Sequence, residues 1–297
     1  MIEITFLGTS CMKPTKDRNP ASIFLEYNGE GILFDCGEGT QRQMRLANLK
    51  PSKISKILIS HWHGDHVLGL PGLIQTIGSE GYEGTLEIYG PKGSTSFFEN
   101  MKKSFYFDTV MNIKVKEISK GIFFESKDYY LEAALLEHGV VNLGFSFIEK
   151  NKRRINIAFL KKKGIPEGPH LGRLQDGKNI EWKGKKINFE EATNIVKGKK
   201  IVYITDTLLT KNCYILSKDA DLLISEAVYT EEMKEKAIEH HHMTASQSAH
   251  IANEGNVKKL VLTHLSQRFK STEPIENEAK TYFSNVVCAY DLMKIKV

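Results

Sequence analysis

The fold and the site of this chain are decided by one stretch, Ile57-Leu58-Ile59-Ser60-His61-Trp62-His63-Gly64-Asp65-His66. An apolar strand ends at Ser60, and three imidazoles and one carboxylate follow within six positions. Gly64 gives the backbone freedom to curl, so that His61 and His63 point to one place and the next turn returns to it. Imidazole nitrogen and carboxylate oxygen suit zinc or a similar divalent metal. The alternative, a surface loop that happens to be rich in histidine, does not explain the apolar strand before it.

Three more candidate ligands follow apolar runs elsewhere in the chain. Residues 129–136 lead to His138, residues 200–205 lead to Asp206, and residues 259–263 lead to His264. A lone histidine at a strand end is more often a satisfied polar group than a ligand. In layered α/β proteins, however, ligands collect at the carboxyl ends of strands. Four such runs in the same relative position therefore favour one shared site.

The composition places few limits on the fold. With 297 residues, 41% of them apolar, the chain can bury one large core or two modest ones. No apolar run approaches the roughly 20 residues that span a bilayer, and the amino terminus lacks a basic-then-apolar leader. We therefore expect a cytoplasmic protein. The four cysteines form no CxxC pair, which argues against a disulfide framework or a cysteine zinc site.

The charge is unevenly distributed. Residues 150–186 hold 12 Lys or Arg and three acids, a net charge of +9, whereas the other 260 residues sum to −4. Such runs are usually solvated loops, but this one-sided concentration indicates a surface for a polyanion. Within it, we expect a short helix over 156–162. The Gly- and Pro-rich residues 164–174 should be extended, as part of a projecting arm.

These motifs resemble those of known families. The run H-x-H-x-D-H after an apolar strand is similar to the signature of the metallo-β-lactamase superfamily. Pro14-Thr15-Lys16-Asp17-Arg18-Asn19, the Gly168-Pro169 segment and His242-Met243-Thr244-Ala245 resemble loops of the ribonuclease Z family of tRNA 3′-processing endonucleases. The resemblance implies an α/β metallo-β-lactamase fold, a four-layer αββα sandwich. It implies a single domain over 1–297 with a protruding flexible arm, or exosite, at 150–178 that binds tRNA.

The resemblance also implies the site. His61, His63 and His138 would hold one zinc, Asp65, His66 and His264 a second, and Asp206 would bridge them, giving two Zn²⁺ per subunit. A hydroxide shared by the two metals would attack the phosphodiester. Asp65 would also orient the attacking water, and His242 would protonate the leaving oxygen. The substrate-binding residues would be Lys16, Arg18, Asn19, Gly168, Pro169 and Gly172.

Two acids remain to be placed around these ligands. Asp35, at the end of the strand over 31–35, is expected to orient the histidine-bearing loop rather than to contact metal. Glu226 either fixes the tautomer of His242 or faces solvent. His240 and His241 are expected to be exposed loop residues.

The predicted function is removal of the 3′ trailer from precursor tRNA, which leaves a 3′-hydroxyl. We expect a homodimer that uses no nucleotide cofactor and binds no membrane. Manganese or iron would suit the same ligands as zinc. The alternatives are a small-molecule phosphodiesterase or another hydrolase of the superfamily, and a non-catalytic RNA-binding relative.

Overall fold

The computed structural model describes residues 1–106 and 111–297. The strands are β1 Ile2–Gly8, β2 Ser22–Tyr27, β3 Glu30–Phe34, β4 Ile54–Leu58, β5 Thr85–Gly90, β6 Asn112–Glu117, β7 Gly121–Glu125, β8 Tyr129–Glu137, β9 Val141–Glu149, β10 Lys152–Ile155, β11 Ile180–Trp182, β12 Lys185–Ile187, β13 Thr193–Val196, β14 Lys200–Ile204, β15 Leu222–Glu226, β16 Leu260–Thr263, β17 Val286–Cys288 and β18 Lys294–Lys296. The α-helices are α1 Thr40–Leu46, α2 Gly64–Val67, α3 Leu70–Ser79, α4 Ser94–Lys103, α5 Ile157–Lys163, α6 Leu171–Gln175, α7 Phe189–Ala192, α8 Lys211–Ser217, α9 Lys234–Glu239, α10 Ala245–Glu254 and α11 Glu273–Lys280. None of these helices is long and apolar enough to cross a membrane.

Most strands belong to two seven-stranded sheets. The first has the order β18-β1-β2-β3-β4-β5-β6, and the second has the order β17-β16-β15-β14-β9-β8-β7. β3, β4 and β5 run parallel, as do β14, β15, β16 and β17. The carboxyl ends of each parallel set therefore share one edge of their sheet, and the residues that follow them are brought close together.

The two large sheets have three apolar contact regions: one between each sheet and its helices, and one between the sheets. One core joins the first sheet to α1, α3 and α4, and a second joins the other sheet to α8, α10 and α11. Between the sheets, aromatic rings meet: the Phe34 ring lies 5.6 Å from that of Tyr203 and 6.3 Å from that of Phe145, centroid to centroid. Each sheet thus has a helical layer outside and the other sheet inside, which is the αββα order that the sequence predicts.

Local signals set several boundaries. Asn28 and Gly29 have φ angles of 52° and 85°, which the tight turn between β2 and β3 requires. α2 ends at Val67 and α3 starts at Leu70, with Pro71 in the first turn of α3. A capping box opens α10: Thr244 Oγ1 accepts from the Gln247 amide and Gln247 Oε1 accepts from the Thr244 amide.

The chain divides into two compact units. The main unit comprises Met1–Phe124, Leu131–Phe147 and Lys200–Val297, and the small unit comprises Glu125–Tyr130 and Ile148–Lys199. The predicted arm, residues 150–178, lies inside the small unit, which continues to Lys199. Its binding role, and the prediction of a single domain, stay predictions.

The small unit corrects one expectation. Residues 164–174 do not stay extended, because Leu171 begins α6 and Leu174 is fully buried. The buried core residues of this unit are Leu160, Ile165, Leu174, Ile180, Ile187 and Ala192. Gly and Pro in this segment end one helix and precede the next, while the apolar residues between them pack. The short helix predicted over 156–162 is found at 157–163, with Asn156 as its N-cap.

Candidate metal centre

The metal run curls as the sequence predicts. β4 ends at Leu58, the chain bends at Ser60, and His63 is extended. α2 then starts at Gly64 and carries Asp65 and His66 on its first turn. The Asp65 Oδ2 atom accepts a hydrogen bond from the Met12 amide at 2.8 Å, which fixes the carboxylate. His61 and His66 are fully buried, whereas His63 is exposed. The run therefore presents its ligand atoms at one end of the main unit.

All seven predicted metal ligands come together in two groups. The ligand atoms of His61, His63, His138 and Asp206 lie within 4.8 Å of one another, and so do those of Asp65, His66 and His264. These residues follow β4, β8, β14 and β16 or lie on α2. The convergence that the strand-end pattern predicts is thus present, and the division into groups is the one that the resemblance implies.

Asp206 lies between the two groups. Its Oδ2 atom is 3.7 Å from His61 Nε2 and 3.5 Å from His66 Nε2, and its Oδ1 atom is 3.0 Å from His264 Nε2. One carboxylate therefore reaches histidines of both groups, which is the position that a bridging ligand needs.

The donor set fits metal ions. The Nε2 atoms of His66 and His264 are buried and make no hydrogen bond within the part of the chain that the structure describes, and such orphaned atoms are rare in folded proteins. Burial alone would lower the pKa of His66, but Asp206, Asp35 and Asp65 outweigh it and hold this pKa well above its ordinary value. Burial alone would raise the pKa of Asp206, but His264 and His66 hold that pKa well below its ordinary value. The carboxylates thus favour positive charge here, and metal ions would displace the imidazole protons.

Asp35 orients the histidine-bearing loop, as its position predicts. Its Oδ2 atom accepts hydrogen bonds from His66 Nδ1 at 2.8 Å, Ser60 Oγ at 2.8 Å and Tyr203 OH at 2.9 Å. Its Oδ1 atom accepts from the Ser60 amide at 2.7 Å. A proton on Nδ1 leaves Nε2 of His66 as the lone-pair nitrogen for a metal.

Three site residues have a left-handed backbone. Asp35, Asp206 and His264 have φ angles of 54°, 49° and 54°, directly after or one residue beyond the strands that carry them. This conformation is uncommon for residues other than glycine and persists only where surrounding contacts hold it. This backbone conformation directs each side chain into the site. Glycine would adopt it more easily, but glycine has no side chain that could bind a metal or accept a hydrogen bond.

His242, which is half-buried, pairs with the acid Glu226. Glu226 is fully buried, and its Oε2 atom lies 3.1 Å from His242 Nδ1. The solvent-facing alternative for Glu226 is therefore wrong. Burial alone would lower the pKa of His242, but the Glu226 carboxylate outweighs it and raises this pKa above its ordinary value.

The histidines before His242 are only partly as expected. His240 is exposed, but His241 is half-buried, and its carbonyl accepts a hydrogen bond from His138 Nδ1 at 3.0 Å. The prediction of an ordinary exposed loop is wrong for His241. Because Nδ1 of His138 is bonded to the His241 carbonyl, Nε2 of His138 is the nitrogen that faces the metal group.

The metal groups open into a cavity of about 370 Å³. His63, Asp65, His138, Asp206, His242 and His264 line it. The sequence analysis did not single out Arg268, which also lines the cavity with its guanidinium carbon 4.6 Å from the centroid of the Tyr229 ring. Its Nε atom donates to Ser266 Oγ at 2.9 Å. The sequence signal that could have identified Arg268 as a site residue is its position four residues after His264.

The predicted substrate-binding residues fall in both units. Lys16 is exposed, and Arg18 and Asn19 are half-buried in the main unit. Asn19 Nδ2 donates to the Glu38 carbonyl, so this amide anchors the loop before α1. Gly168, Pro169 and Gly172 lie in the small unit, where Pro169 is exposed and a Cβ at Gly172 would meet nothing within 4 Å.

Several supporting residues carry no motif. Ser60 and Tyr203 hold Asp35, and Asn142 Nδ2 donates to the carbonyls of Thr205 and Asp206 at 2.7 and 2.6 Å. Asp291, in the carboxyl-terminal tail that the sequence left unassigned, accepts from the Asn19 amide at 2.7 Å. Ser60 is adjacent to the metal run, but nothing in the sequence connects the other residues to the site.

Comparisons with known proteins agree with this geometry. Residues 15–145 match the model of the metallo-beta-lactamase superfamily. The chain is 42% identical to Ribonuclease Z of Methanothermobacter thermautotrophicus, over 100% of this chain and 97% of the relative. The chain belongs to the ribonuclease Z family. It is also 37% identical to Ribonuclease Z of a Picosynechococcus species, over 100% of this chain and 96% of that protein.

A solved structure extends the likeness to three dimensions. Human tRNase Z, short form, has a TM-score of 0.73 and 29% identity, over 99% of both chains. The predicted metallo-β-lactamase fold and an enzyme of the ribonuclease Z type are confirmed by these relationships. Membership in this superfamily, with the two His/Asp groups, also indicates bound metal ions.

Proposed function

We propose that this member of the ribonuclease Z family is a zinc-dependent endoribonuclease that removes the 3′ trailer from precursor tRNA and leaves a 3′-hydroxyl on the tRNA. One observation carries the proposal: two His/Asp groups share Asp206 in a chain whose full-length relatives are named Ribonuclease Z. The human structural relative is named for tRNA, which supports precursor tRNA as the substrate. We also propose a cytoplasmic homodimer.

The seven ligands would hold two zinc ions. His61, His63 and His138 would hold one, Asp65, His66 and His264 the other, and Asp206 would bridge them. Bound zinc would supply a water molecule of lowered pKa and would neutralise charge on the phosphate. Zinc suits this set because it accepts both imidazole nitrogen and carboxylate oxygen.

Protein side chains would accept and donate the protons of the reaction. The Met12 amide holds Asp65 Oδ2, so the Asp65 carboxylate is fixed to orient the attacking water and to accept its proton. His242 lines the same cavity, with Nδ1 on buried Glu226. This contact favours a proton on Nδ1 and the charged imidazolium, whose Nε2 would then donate a proton to the leaving oxygen. Arg268, on the cavity wall, would contact the phosphate or an adjacent one.

Two surfaces would bind the rest of the RNA. Lys16, Arg18 and Asn19 lie on the loop that carries Met12 towards Asp65, and would contact the RNA near the cleavage site. The small unit, which contains the 150–178 arm with Gly168, Pro169 and Gly172, would bind the tRNA body through its basic side chains. This assignment depends on the net charge of +9 over residues 150–186.

The basic experiment is to map the cut in a purified precursor tRNA. Incubation with zinc should cut at one position, which leaves a 3′-hydroxyl on the tRNA and a 5′-phosphate on the released trailer, and a chelator should abolish the cut. A cut elsewhere, or cleavage unaffected by the chelator, contradicts the proposal.

The deletion that tests the arm has to remove both partners of each strand pair in the small unit. Removing only 150–178 would take away β10 and leave its partner β13 unpaired. Asn151 and Gly198 are joined by a hydrogen bond of 2.9 Å, so a short Gly-Ser linker can replace residues 152–197. The deletion should raise KM for precursor tRNA and leave cleavage of a small phosphodiester intact. Unchanged KM for precursor tRNA contradicts the role of the arm. Unchanged KM together with efficient small-diester turnover would favour the small-molecule phosphodiesterase.

A further inference from the structure

An aromatic pair joins the metal run to α4, and its outer ring has no role in core packing or in the reaction: Trp62 packs partly against the core, whereas Phe97 lies outside it. The rings of Trp62 and Phe97 stack with centroids 5.4 Å apart and planes 30° apart. Phe97, on α4, is 52% exposed, whereas its neighbour Phe98 is buried in the core. Core packing therefore requires Phe98 but not an aromatic ring at position 97.

The pair is held rigidly. Trp62 Nε1 donates to Ser94 Oγ at 2.7 Å, and Ser94 Oγ donates to the Pro91 carbonyl at 2.6 Å. Gly93 has φ +98°, and a Cβ there would come within 3.2 Å of the Phe97 ring. The ring thus lies against a glycine on one side and an anchored indole on another. Binding to such a preorganised surface costs little conformational entropy.

The position of the pair connects it to the metal centre. Trp62 lies between His61 and His63, and consecutive Cα atoms are about 3.8 Å apart. Phe97 stacks on the Trp62 ring, and Trp62 is the chain neighbour of both His61 and His63, two of the proposed zinc ligands. β4 and β5 run parallel, so the metal run after β4 and the first turn of α4 after β5 lie at the same edge of the sheet, joined by the Trp62–Ser94 hydrogen bond. An RNA strand that leaves the cavity over this edge would pass Phe97.

The chemistry of this surface favours a base over a phosphate. The amino end of α4 is already taken by an acid, because the Thr95 amide donates to Glu117 Oε1 at 3.1 Å. What the surface offers is an exposed aromatic face, and every nucleobase has a π-face that can stack on it.

We propose that Phe97, supported by Trp62, stacks an unpaired nucleobase beside the scissile phosphodiester. This subsite rests on the proposed function, since it needs a single-stranded RNA segment in the cavity. Stacking is tolerant of base identity. The subsite would therefore position strands of different sequence, as an enzyme that acts on varied RNA ends requires.

The test is a double-mutant cycle between protein and RNA. Phe97→Leu keeps an apolar side chain of similar size, and Phe97→Tyr keeps the ring. Precursor RNAs with a single abasic nucleotide, placed in turn at each position within three of the cut, are cleaved under single-turnover conditions. Phe97→Leu should lower kcat/KM on intact RNA by about 5- to 150-fold. Phe97→Tyr should restore most of it, and at one abasic position Phe97→Leu should have no further effect.

Tyr282→Leu is the matched control. Tyr282 is 45% exposed, and its ring packs against that of His250 with centroids 4.3 Å apart and planes 41° apart. It precedes β17, which runs parallel to β16, so it lies at the sheet edge opposite His264. This variant should cleave every RNA like the wild type. Equal losses for both variants would show that exposed rings act on stability alone, and would overturn the proposal.

Two other results would overturn it. In the first, the losses from Phe97→Leu and from the abasic site multiply at every position. In the second, sedimentation shows that Phe97→Leu dissociates a dimer, which would assign the ring to a protein interface. If the wild type fails to cut intact precursor RNA, the proposed function fails first and this subsite fails with it.

Discussion

The Asp35 carboxylate holds His66 Nδ1 at 2.8 Å, and both side chains are fully buried in the main unit. Because the same carboxylate also accepts from Ser60 and Tyr203, it ties the metal run to strands of both sheets. The positions of the candidate metal ligands therefore depend on a residue that belongs to neither ligand group. This relationship explains why a site on several loops can have one defined shape.

Asp35→Asn should weaken metal binding without abolishing the fold. The amide keeps one oxygen as acceptor but places an NH₂ group among buried donors, so His66 loses its orientation. We expect metal affinity to fall by about 10- to 100-fold, measured by competition with a coloured chelator. Asp221→Asn is the control. Asp221 is buried just before β15, at the opposite sheet edge, and accepts from Lys258 Nζ at 2.7 Å and from the Lys200 amide at 3.0 Å. Equal metal affinities for the two variants would contradict this role of Asp35.

Asp206→Ala should reduce the metal content more than His138→Ala. Asp206 reaches histidines of both groups, whereas His138 belongs to one. We expect Asp206→Ala to lose activity by more than about 100-fold, beyond the usual effect of an outer partner, and to lose metal from both groups. His138→Ala should keep the second equivalent. Elemental analysis of the gel-filtered proteins gives the stoichiometry, and two retained equivalents in Asp206→Ala would refute a bridging role.

Removal of metal should lower the melting temperature. The buried Nε2 atoms of His66 and His264 find no hydrogen-bond partner among the described residues, so a ligand that satisfies them stabilises the folded state. At a free metal concentration about 1,000 times Kd, each site contributes roughly 4 kcal/mol. For a chain of this size that is a shift of several degrees. Calorimetry before and after chelation measures it, and added zinc should restore the transition. An unchanged melting temperature would argue against a metal centre built from these residues.

His242 and Glu226 should act as one unit. We expect His242→Ala to lower single-turnover cleavage by about 100- to 10,000-fold, the usual range for a general acid. The Thr207 amide donates to Glu226 Oε1 at 2.6 Å, and the Met243 amide donates to Oε2 at 3.2 Å. Glu226→Gln keeps one oxygen acceptor, for the Thr207 amide, and places its NH₂ group towards Met243 and His242. It should nevertheless lower cleavage because Nδ1 of His242 loses its anionic partner.

The double variant decides between coupled and separate roles. If Glu226 acts through His242, His242→Ala with Glu226→Gln should be no slower than His242→Ala alone. Multiplied losses would mean that Glu226 acts independently of His242. The melting temperatures of all three proteins serve as the control for folding.

By itself, the sequence determined the parts of the site that are encoded locally. The alternation of apolar strands with His61, His138, Asp206 and His264 is a short-range pattern, and the metal preference of imidazole and carboxylate is a property of the side chains. The turn at Asn28-Gly29 and the capping box at Thr244 were equally local, and the structure has both. The local motifs thus carried the candidate ligands and the orienting position of Asp35, and the fold class followed from the resemblance of those motifs to a known superfamily.

Only the tertiary structure decided which distant groups meet. That Asp206 lies between the two groups, that Glu226 is buried against His242, and that Tyr203 holds Asp35 depend on sheet order and strand register. The tail was unreadable because β17 and β18 have three residues each, too few for a pattern, and β18 exists only through its pairing with β1. The helix at Leu171 was missed because Gly and Pro signal turns locally, whereas burial of Leu174 depends on side chains up to 18 residues away. Such contacts arise from the folded chain, and no short stretch of sequence specifies them.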